Sequence, residues 1–513
     1  MTPDAFREPI RTAERFAVLL AATALGAYLL VLLGATTTLT DAAAACTTWP
    51  GCAPPTDPIG QFDLAIAWGH RIGAVVVGGL LLWTAGVAVL GETTRRVRWA
   101  IVGAVTLYPL QVTIGALTAI YGPAAMIPGV HLGLGILIFG GLVAALAWHL
   151  EAVTGTPEAT DDPIKGTEGT MARTEGAMVR SDRRVEATDD PVVSPDLSPE
   201  GTLESGAGDA SAPARPSVTL PDDHVARWRL RAVAYVRLMK PRLMWLLCLV
   251  AAAGMALAAG PDLRPDTVVA TLGGGVLAIG AAGTFNHVFE RDVDRRMHRT
   301  SERPLTLDLV PVSHAVAFGL ALTVASVAVF LTVNVLAAAL GLAAILFYSV
   351  VYTLLLKPNT VQNTVIGGAA GALPALIGWA AVTNEIGVPA LALAGLIFLW
   401  TPAHFYNLAM AYREDYARGG FPMMPVVRGD TVTRKHVLYY LGATLLSAVV
   451  LAGVTELGLL YAAVVVLFGA LFLWMALRLH FERTERAAMR CFHASNAFLG
   501  ATLLVIVLES LLF

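Results

Sequence analysis

Long apolar runs alternate with short polar segments along most of the chain. Each run of about 20 residues is long enough to cross a bilayer as a helix. Four runs come first, at 16–40, 64–90, 98–120 and 127–150. Nine more follow, at 242–260, 266–288, 311–333, 335–356, 362–383, 387–411, 434–453, 456–478 and 491–512. The pattern predicts an all-α polytopic membrane protein.

Residues 151–224 interrupt this pattern. They are rich in Asp, Glu, Gly, Ser, Thr and Pro, with almost no aromatic residues and no apolar period. Such a segment buries too little apolar surface to fold, so we expect a disordered, acidic, cytoplasmic linker. The predicted domains are a four-helix transmembrane bundle at 1–150, the linker at 151–224 and a nine-helix bundle at 225–513. The last domain opens with a basic segment that we expect at the membrane interface.

Composition agrees with a membrane protein. The chain is 56% hydrophobic and only 14% charged, with a mean hydropathy of +0.66, whereas soluble domains are near 25% charged. Basic residues cluster at the ends of predicted helices and form no basic face with interleaved aromatics, so no nucleic-acid partner is expected. The positive-inside rule places the linker and the loops after Phe289 and Ala411 in the cytoplasm. It places the loop from Asp41 to Phe62 outside.

The segment from Asn286 to Leu305 combines four acidic residues with five arginines directly behind an apolar run. Asn286, Glu290 and Asp294 are spaced four apart and share a helical face, while Asp292 lies off it. Carboxylate and amide oxygens are the ligands Mg²⁺ requires, and Mg²⁺ normally bridges to substrate phosphates. Arginines such as Arg299 and Arg303 suit diphosphate oxygens. A solvated, charged cytoplasmic loop is the simpler interpretation of these residues alone.

A second acidic loop is predicted on the same membrane face. Glu414 and Asp415 follow the span that ends in WTPAHFYNLA. Two carboxylate clusters can hold two Mg²⁺ ions and one diphosphate between them, and the metals would stabilise diphosphate as it leaves an allylic carbocation. An ion or proton pathway is the alternative use of such acids. They lie at helix ends rather than in mid-span, which favours the diphosphate site.

The motif Asn286-x-x-x-Glu290-x-Asp292-x-Asp294, with Arg299-Thr300 and Arg303-Pro304-Leu305, resembles the first motif of the intramembrane prenyltransferases. Together with Tyr352-Thr353 through Lys357, NTVIGGAAGALPALIGWAAVT and WTPAHF leading to DYARGGFPMMPVV, it resembles more narrowly the protoheme IX farnesyltransferases, also called haem O synthases. The resemblance covers residues 230–513. It implies a nine-helix bundle that transfers a farnesyl group from farnesyl diphosphate to the 2-vinyl group of haem B, with Mg²⁺.

The resemblance also implies roles for individual residues. Asn286, Glu290 and Asp294 would bind Mg²⁺–diphosphate with Asp292 nearby, and Glu414 and Asp415 would serve a second metal. Phosphate oxygens would be held by Arg299, Arg303 and Lys357, and His404 is a candidate haem ligand. The chain departs from the family at Glu290, where Asp is usual, and at Lys357-Pro358, where Lys-Arg is common.

The four-helix domain carries two features of its own. Cys46 and Cys52 lie in the outward loop, where two cysteines this close can form a disulfide. His70 and His131 lie at similar depths on parallel spans, an arrangement that can hold haem between two imidazoles. Two unrelated histidines near helix starts are the simpler interpretation.

These residues lie within a longer resemblance. Cys46…Trp49-Pro50-x-Cys52, Trp68-Gly69-His70-Arg71, Tyr108-Pro109-Leu110-Gln111, Gly115 and His131 resemble one half of the haem A synthases, which normally have two such halves. The resemblance implies haem b on His70 and His131. Ala67 stands where that family has Glu. The domain is therefore an active haem A synthase acting as a homodimer of halves, a haem-binding or haem-transferring module, or a degenerate domain kept for assembly.

Three functions follow for the whole chain. The leading one is haem O synthesis in the haem A pathway, with haem A synthase or terminal oxidase assembly factors as protein partners. The second is prenyl transfer to a quinone or lipid acceptor. The third, from a different class, is a transporter that uses the acidic loops for ions.

Overall fold

The computed structural model describes residues 3–39, 45–46, 48–57, 60–121, 127–155 and 223–512. Within these ranges the secondary structure is helical, with no strand. Thirteen of the described helices are long and apolar enough to span a membrane. This number equals the predicted number of spans, and the all-α polytopic fold is confirmed.

The first block consists of four antiparallel helices. Neighbours along the chain pack against each other, and α1 also packs on α4. Their bounds are α1 Pro3–Leu39, α2 Phe62–Leu90, α3 Arg95–Tyr121 and α4 Ile127–Thr154. Helix α4 extends four residues beyond the predicted end at 150, because the apolar period continues through Leu150 and Thr154, which are both buried. The rest of the predicted linker, residues 156–222, lies outside the described residues.

The second block begins at Asp223, whose carboxylate accepts hydrogen bonds from the backbone N–H groups of Val225 and Ala226 and so starts a helix. Nine membrane-spanning segments follow this helix, joined by three short helices at one end of the bundle. The bounds are α5 His224–Leu238, α6 Pro241–Ala259, α7 Pro265–Phe289, α8 Arg291–Asp294, α9 Val312–Leu331, α10 Val335–Leu346, α11 Lys357–Asn359, α12 Asn363–Thr383, α13 Val388–Ala411, α14 Arg413–Gly419, α15 Met424–Gly453, α16 Leu459–Glu482 and α17 Glu485–Leu512.

Small residues let helices of this block approach closely. A Cβ added to Gly378 on α12 would lie 2.1 Å from the carbonyl oxygen of Ala251 on α6, and one added to Gly254 would lie 2.5 Å from that of Ala375. Close backbone contact between glycine and alanine positions is the usual way in which membrane helices associate. The α6–α12 crossing is thereby fixed on both sides.

The segment between α10 and α11 is a π-helix, Phe347–Leu356. Its wider turn is rare and occurs mainly at functional sites. Here it places Tyr348, Thr353 and Lys357 beside the C-terminal end of α7.

The described parts of the two blocks form one compact unit. Helices α1 and α4 pack on α15 and α16. The side chain of Val143 on α4 fills the space above Gly442 on α15, where an added Cβ would lie 3.0 Å from it. Lys435 and Glu151 form an ion pair at the end of the same contact, which we call the interblock seam.

Candidate active site

The C-terminal end of α7 continues through Glu290 into the single turn of α8. The N–H of Glu290 donates to the carbonyl of Asn286, and the N–H of Asp294 donates to that of Glu290, at 3.0 and 2.7 Å. This near-continuous helix keeps Asn286, Glu290 and Asp294 on one face, and all three are buried. Asp292 points away from them. Its side chain is 87% exposed and faces Arg295 at 3.4 Å, so the structure does not place it with the other predicted metal ligands.

Cations from three other segments contact this face. Lys357 Nζ lies 2.5 Å from Glu290 Oε1, and Arg303 Nη1 lies 2.6 Å from Asp294 Oδ2 and 3.6 Å from Glu290 Oε2. Lys240 Nζ donates to Asn286 Oδ1 and, at 3.3 Å, to the hydroxyl of Tyr348. We call Asn286, Glu290 and Asp294 with these three cations the inner cluster.

Charge in the inner cluster is unbalanced toward the positive. Two carboxylates face three basic side chains. Burial opposes ionisation of Glu290, yet Lys357, Lys240 and Arg303 together lower its pKa below the ordinary value. Burial raises the pKa of Asp294, against the opposing effect of Arg303. Within the described ranges no three His, Cys, Asp or Glu side chains are grouped as a metal site. The inner cluster has two carboxylates, and both pair with Lys or Arg. A bound anion would balance the excess positive charge of the inner cluster.

Lys240 is a member of this cluster that the sequence analysis missed. It lies at the turn between α5 and α6 with left-handed backbone angles, φ 56° and ψ 57°, a conformation that costs a non-glycine residue about 1–2 kcal/mol. Burial, with the charges of Arg303 and Lys357, lowers its pKa to about 7, although Glu290 and Asp294 act against the shift. The signal in the sequence was a lysine directly before the proline that begins the first span of the second block.

Asp415 joins the two acidic loops. Its carboxylate accepts hydrogen bonds from the backbone N–H groups of His298, at 3.1 Å, and Arg299, at 2.9 Å, and it pairs with Arg418. Burial opposes ionisation, but these hydrogen bonds outweigh it and lower the pKa of Asp415. The predicted meeting of the two loops is therefore present. Glu414 is different, because its side chain is 87% exposed and lies 3.8 Å from Arg418.

Arg299 lies next to this junction rather than in the inner cluster. Its guanidinium is 5.1 Å from the ring of Tyr412 and 5.5 Å from that of Tyr416, with a 3.3 Å hydrogen bond to the Tyr416 hydroxyl. The two tyrosines hold the guanidinium by cation–π contact, and its remaining N–H groups are donors for oxygen acceptors. Of the three predicted phosphate contacts, Arg303 and Lys357 lie within the inner cluster and Arg299 lies beside it.

His404 lies on α13 in an aromatic stack. Its ring is 4.2 Å from those of Trp400 and Phe492, nearly parallel to both, and its Nδ1 lies 2.7 Å from Ser495 Oγ. The side chain is buried. Both ring faces are thus covered and one nitrogen has a hydrogen-bond partner, as in a histidine that serves packing. The structure does not bring it together with the inner cluster.

The structure does bring together the two histidines of the first block. The rings of His70 on α2 and His131 on α4 have centroids 6.5 Å apart. His131 Nδ1 lies 3.1 Å from the carbonyl oxygen of Gln111, whereas the buried Nδ1 of His70 has no hydrogen-bond partner among the described residues. A Cβ at Gly115 would lie 2.8 Å from His131 Cε1, so only glycine leaves room for the ring. Ala67 is buried one turn before His70.

The described part of the loop between α1 and α2 lies against the same end of the block. Cys46 and Cys52 form a disulfide, with Cα atoms 5.8 Å apart. Arg71, next to His70, donates to the carbonyl of Cys46 at 2.9 Å and to that of Pro50 at 3.4 Å. The loop is thereby tied to α2 beside the histidine pair. Cys248 and Cys491 are free thiols.

Similarity to known proteins agrees with this geometry. The model of the UbiA prenyltransferase family matches residues 246–501. Protoheme IX farnesyltransferase of Haloarcula marismortui is 56% identical over 496 residues, which are 97% of this chain and 98% of that protein. The Halobacterium salinarum protein of the same name is 54% identical over 505 residues, 98% of this chain and 99% of its own. These relatives match along nearly the whole length, so they share the first block as well.

A shorter relative and a solved structure match a smaller part. Protoheme IX farnesyltransferase 1 of Saccharopolyspora erythraea is 46% identical over 281 residues, 54% of this chain and 89% of that protein. A UbiA homolog from Archaeoglobus fulgidus, solved with DMAPP and Mg²⁺, is 19% identical and covers 53% of this chain and 98% of its own, with a TM-score of 0.43. On the strength of the full-length relatives, the chain belongs to the protoheme IX farnesyltransferase family of UbiA prenyltransferases.

Proposed function

We propose that the chain is a haem O synthase, which transfers a farnesyl group from farnesyl diphosphate to the 2-vinyl group of haem B and releases diphosphate. The observation that carries the proposal is the inner cluster, a buried face of oxygen ligands surrounded by more basic than acidic side chains. Such a site accepts a compact, highly charged anion. The names of the nearly full-length relatives support the farnesyl donor and the haem acceptor.

Magnesium fits the residues of the inner cluster. Asn286, Glu290 and Asp294 present amide and carboxylate oxygens on one buried face, and oxygen ligands with shared phosphates are what Mg²⁺ prefers. When bound there, Mg²⁺ supplies positive charge that stabilises the leaving diphosphate. Asp415 would contribute to a second ion from the adjoining loop, while Glu414 and Asp292 are too exposed to join it directly.

The chain's own residues perform the rest of the chemistry through charge and position. Lys240, Lys357 and Arg303 bind diphosphate oxygens as the bond between farnesyl C1 and oxygen breaks and its electron pair leaves with the diphosphate. The vinyl group then supplies the electrons of the new carbon–carbon bond. Water then adds to the positively charged carbon next to the porphyrin and loses a proton. Buried cations stabilise the departing charge without the reorganisation that water would need.

The test is product analysis with matched variants. Purified protein in lipid nanodiscs receives haem B, farnesyl diphosphate and Mg²⁺, and the products are identified by mass spectrometry. We expect haem O from the wild type, and a loss of about a hundredfold or more in Asp294→Asn, because one metal ligand and one partner of Arg303 are changed. Asp266→Asn is the control, since it makes the same exchange on α7 at the opposite, exposed end.

Other products would decide between the alternatives. If haem B is left unchanged and an added quinone or lipid acceptor is prenylated, the acceptor assignment is wrong and the prenyltransferase assignment stands. If Asp294→Asn makes haem O at the wild-type rate, the metal assignment is wrong. Ion flux in sealed vesicles without any prenyl transfer would favour the transporter.

We further propose the sidedness that the positive-inside rule predicts. The inner cluster and both acidic loops lie on the cytoplasmic side, and the disulfide loop lies outside. Farnesyl diphosphate, a charged cytosolic metabolite, would then reach its site without crossing the membrane. Cysteines introduced at Glu414 and at Phe62 should react with a membrane-impermeant maleimide from opposite sides of oriented vesicles. Labelling of both from one side would contradict the topology.

For the first block we propose a haem b site between His70 and His131. His70 and His131 would hold the haem iron through their imidazoles, whose ring centroids are 6.5 Å apart, and the haem would supply a redox-active iron there. The unpartnered, buried Nδ1 of His70 supports a role that packing alone does not supply. The block would bind or transfer haem next to the synthase, or meet haem A synthase or oxidase assembly factors. With Ala67 in place of the family's Glu, we do not assign oxygenase chemistry to it.

A redox difference spectrum of the full chain tests this site. We expect a bis-histidine haem b signal that His70→Ala and His131→Ala each abolish. His149→Ala is the control, because His149 lies at the other end of α4 and bonds the carbonyl oxygen of Ala13. If the haem b signal survives His70→Ala, or if the wild type gives no such signal, the proposed haem site is wrong.

A further inference from the structure

Helix α5 presents an apolar stripe to its surroundings. Val225, Trp228, Ala232 and Val236 recur at intervals of three or four residues and therefore lie on one side of the helix. Val225 is 64% exposed, Trp228 71% and Val236 54%. Since exposed apolar groups of this size rarely lie side by side in water, the stripe marks a contact surface.

The opposite side of α5 holds the helix in place. Ala234 and Leu238 are buried in a small apolar cluster with residues from the segment between α7 and α9, namely Leu305, Val310 and Ala315. Tyr235 adds an edge contact to Phe318, with ring centroids 5.0 Å apart. One side of α5 therefore packs on the protein, whereas Val225, Trp228 and Val236 are exposed on the other side.

The charge of α5 is entirely positive. The helix contains four arginines and no Asp or Glu. Arg229, Arg231 and Arg237 are exposed. With 15 residues, the helix is about 22 Å long, too short for a hydrocarbon core of about 30 Å. It therefore cannot act as another span, and its arginines would be costly in mid-membrane.

We propose that α5 lies in the head-group layer of the membrane, with its apolar stripe at the acyl boundary and its arginines on anionic lipid phosphates. Two observations favour lipid over a protein partner. Only two residues separate the end of α5 from the start of α6, so α5 ends where the first span of the second block enters the bilayer. Leu243 and Trp245 on α6 are also more than half exposed and extend the same apolar surface into the membrane. A tryptophan and arginines around an apolar stripe are typical of interfacial helices.

This surface is connected to the inner cluster through the turn after α5. The carbonyl oxygen of Leu238 lies 3.0 Å from where a Cβ of Gly283 on α7 would be, and Lys240 Cγ lies 3.3 Å from it. The end of α5 is therefore seated directly on α7, three residues before Asn286. Binding of α5 to the lipid surface would therefore hold the turn that carries Lys240 in position.

Spin-label accessibility tests the proposal on the full chain in nanodiscs. The free thiols are first removed by Cys248→Ala and Cys491→Ala, leaving the disulfide intact, and a nitroxide is attached in Val236→Cys or Arg231→Cys. We expect the label at 236 to collide with oxygen and be shielded from a water-soluble nickel chelate. The label at 231, which replaces an exposed arginine outside the apolar stripe, should show the reverse. Free access of nickel to 236 would place the stripe in water, and dipolar broadening between labels would show a second copy there; either result overturns the proposal.

The arginines are tested by lipid composition. Replacing part of a phosphatidylcholine bilayer with phosphatidylglycerol should move the label at 236 deeper, as judged by its oxygen-to-nickel collision ratio. The triple variant Arg229→Gln, Arg231→Gln, Arg237→Gln should lose this response, and the matching triple Lys variant should keep it. A depth at 236 that does not change with lipid charge, or a Gln variant that responds as the wild type does, would contradict the anionic-lipid contact.

Discussion

The ion pair between Lys357 and Glu290 can be separated into a structural and a catalytic part by a double-mutant cycle. Lys357 is 9% exposed and Glu290 is 4% exposed, and their charged atoms are 2.5 Å apart. Lys357→Met keeps the volume of the side chain and leaves a buried carboxylate without its nearest partner. Removing one member of a buried pair costs about 3–5 kcal/mol. Arg303, 3.6 Å from Glu290, partly compensates, so we expect about 3 kcal/mol.

The double variant distinguishes this cost from chemistry. In Glu290→Gln with Lys357→Met no charge of the pair remains, so the free energy of unfolding should return to within about 1 kcal/mol of the wild type. Haem O formation should stay low in both single variants and in the double variant, since the diphosphate and metal contacts are lost. Unfolding in mixed micelles with increasing SDS, followed by tryptophan fluorescence, measures stability. A double variant no more stable than Lys357→Met, or a Lys357→Met protein as stable as the wild type, would refute this account of the cluster.

Three further predictions follow. Lys240→Met should weaken diphosphate as a product inhibitor by about tenfold or more, as measured by inhibition kinetics, because the variant loses a buried cation that donates to Asn286 and Tyr348. Asp292→Asn should retain near-wild-type haem O synthesis, whereas Asp294→Asn should not. If both variants lose the same fraction of activity, Asp292 is a metal ligand after all. Gly378→Ala should destabilise the protein by more than 2 kcal/mol, because its Cβ would overlap the carbonyl oxygen of Ala251. Gly395→Ala, in a helix with open space around it, should be neutral or slightly stabilising in the same unfolding assay.

The sequence predicted the spans well because hydrophobic length is a property of single segments. The bounds of α2 and α3 agree with the predicted runs to within a few residues, and the four-residue spacing of Asn286, Glu290 and Asp294 survived across the end of α7. Counting the spans also predicted that the two acidic loops lie on one face of the membrane. Asp415 links the two loops by hydrogen bonds.

Tertiary contacts limited what the sequence could predict. Nothing in the spacing of Asp415 indicated that its oxygens would accept the N–H groups of His298 and Arg299, because those donors are more than 100 residues away. Lys240 reaches the inner cluster only through a left-handed turn, and such a conformation is unexpected for lysine. The environment of His404 depends on Phe492 and Ser495 from the last helix, so its aromatic stack was invisible in the motif that contains it.

The interblock seam fixes a distance between the two proposed sites. His131 and Glu151 are 20 residues apart on one helix, and Glu151 pairs with Lys435 at the end of the bundle where the acidic loops lie. At 1.5 Å per residue, the histidine pair is about 30 Å from that end along the membrane normal. A single porphyrin is too small to contact both places at once. Any haem that uses both sites must therefore travel most of the membrane thickness between them. Once the haem is farnesylated, its tail would keep it in the bilayer during that passage.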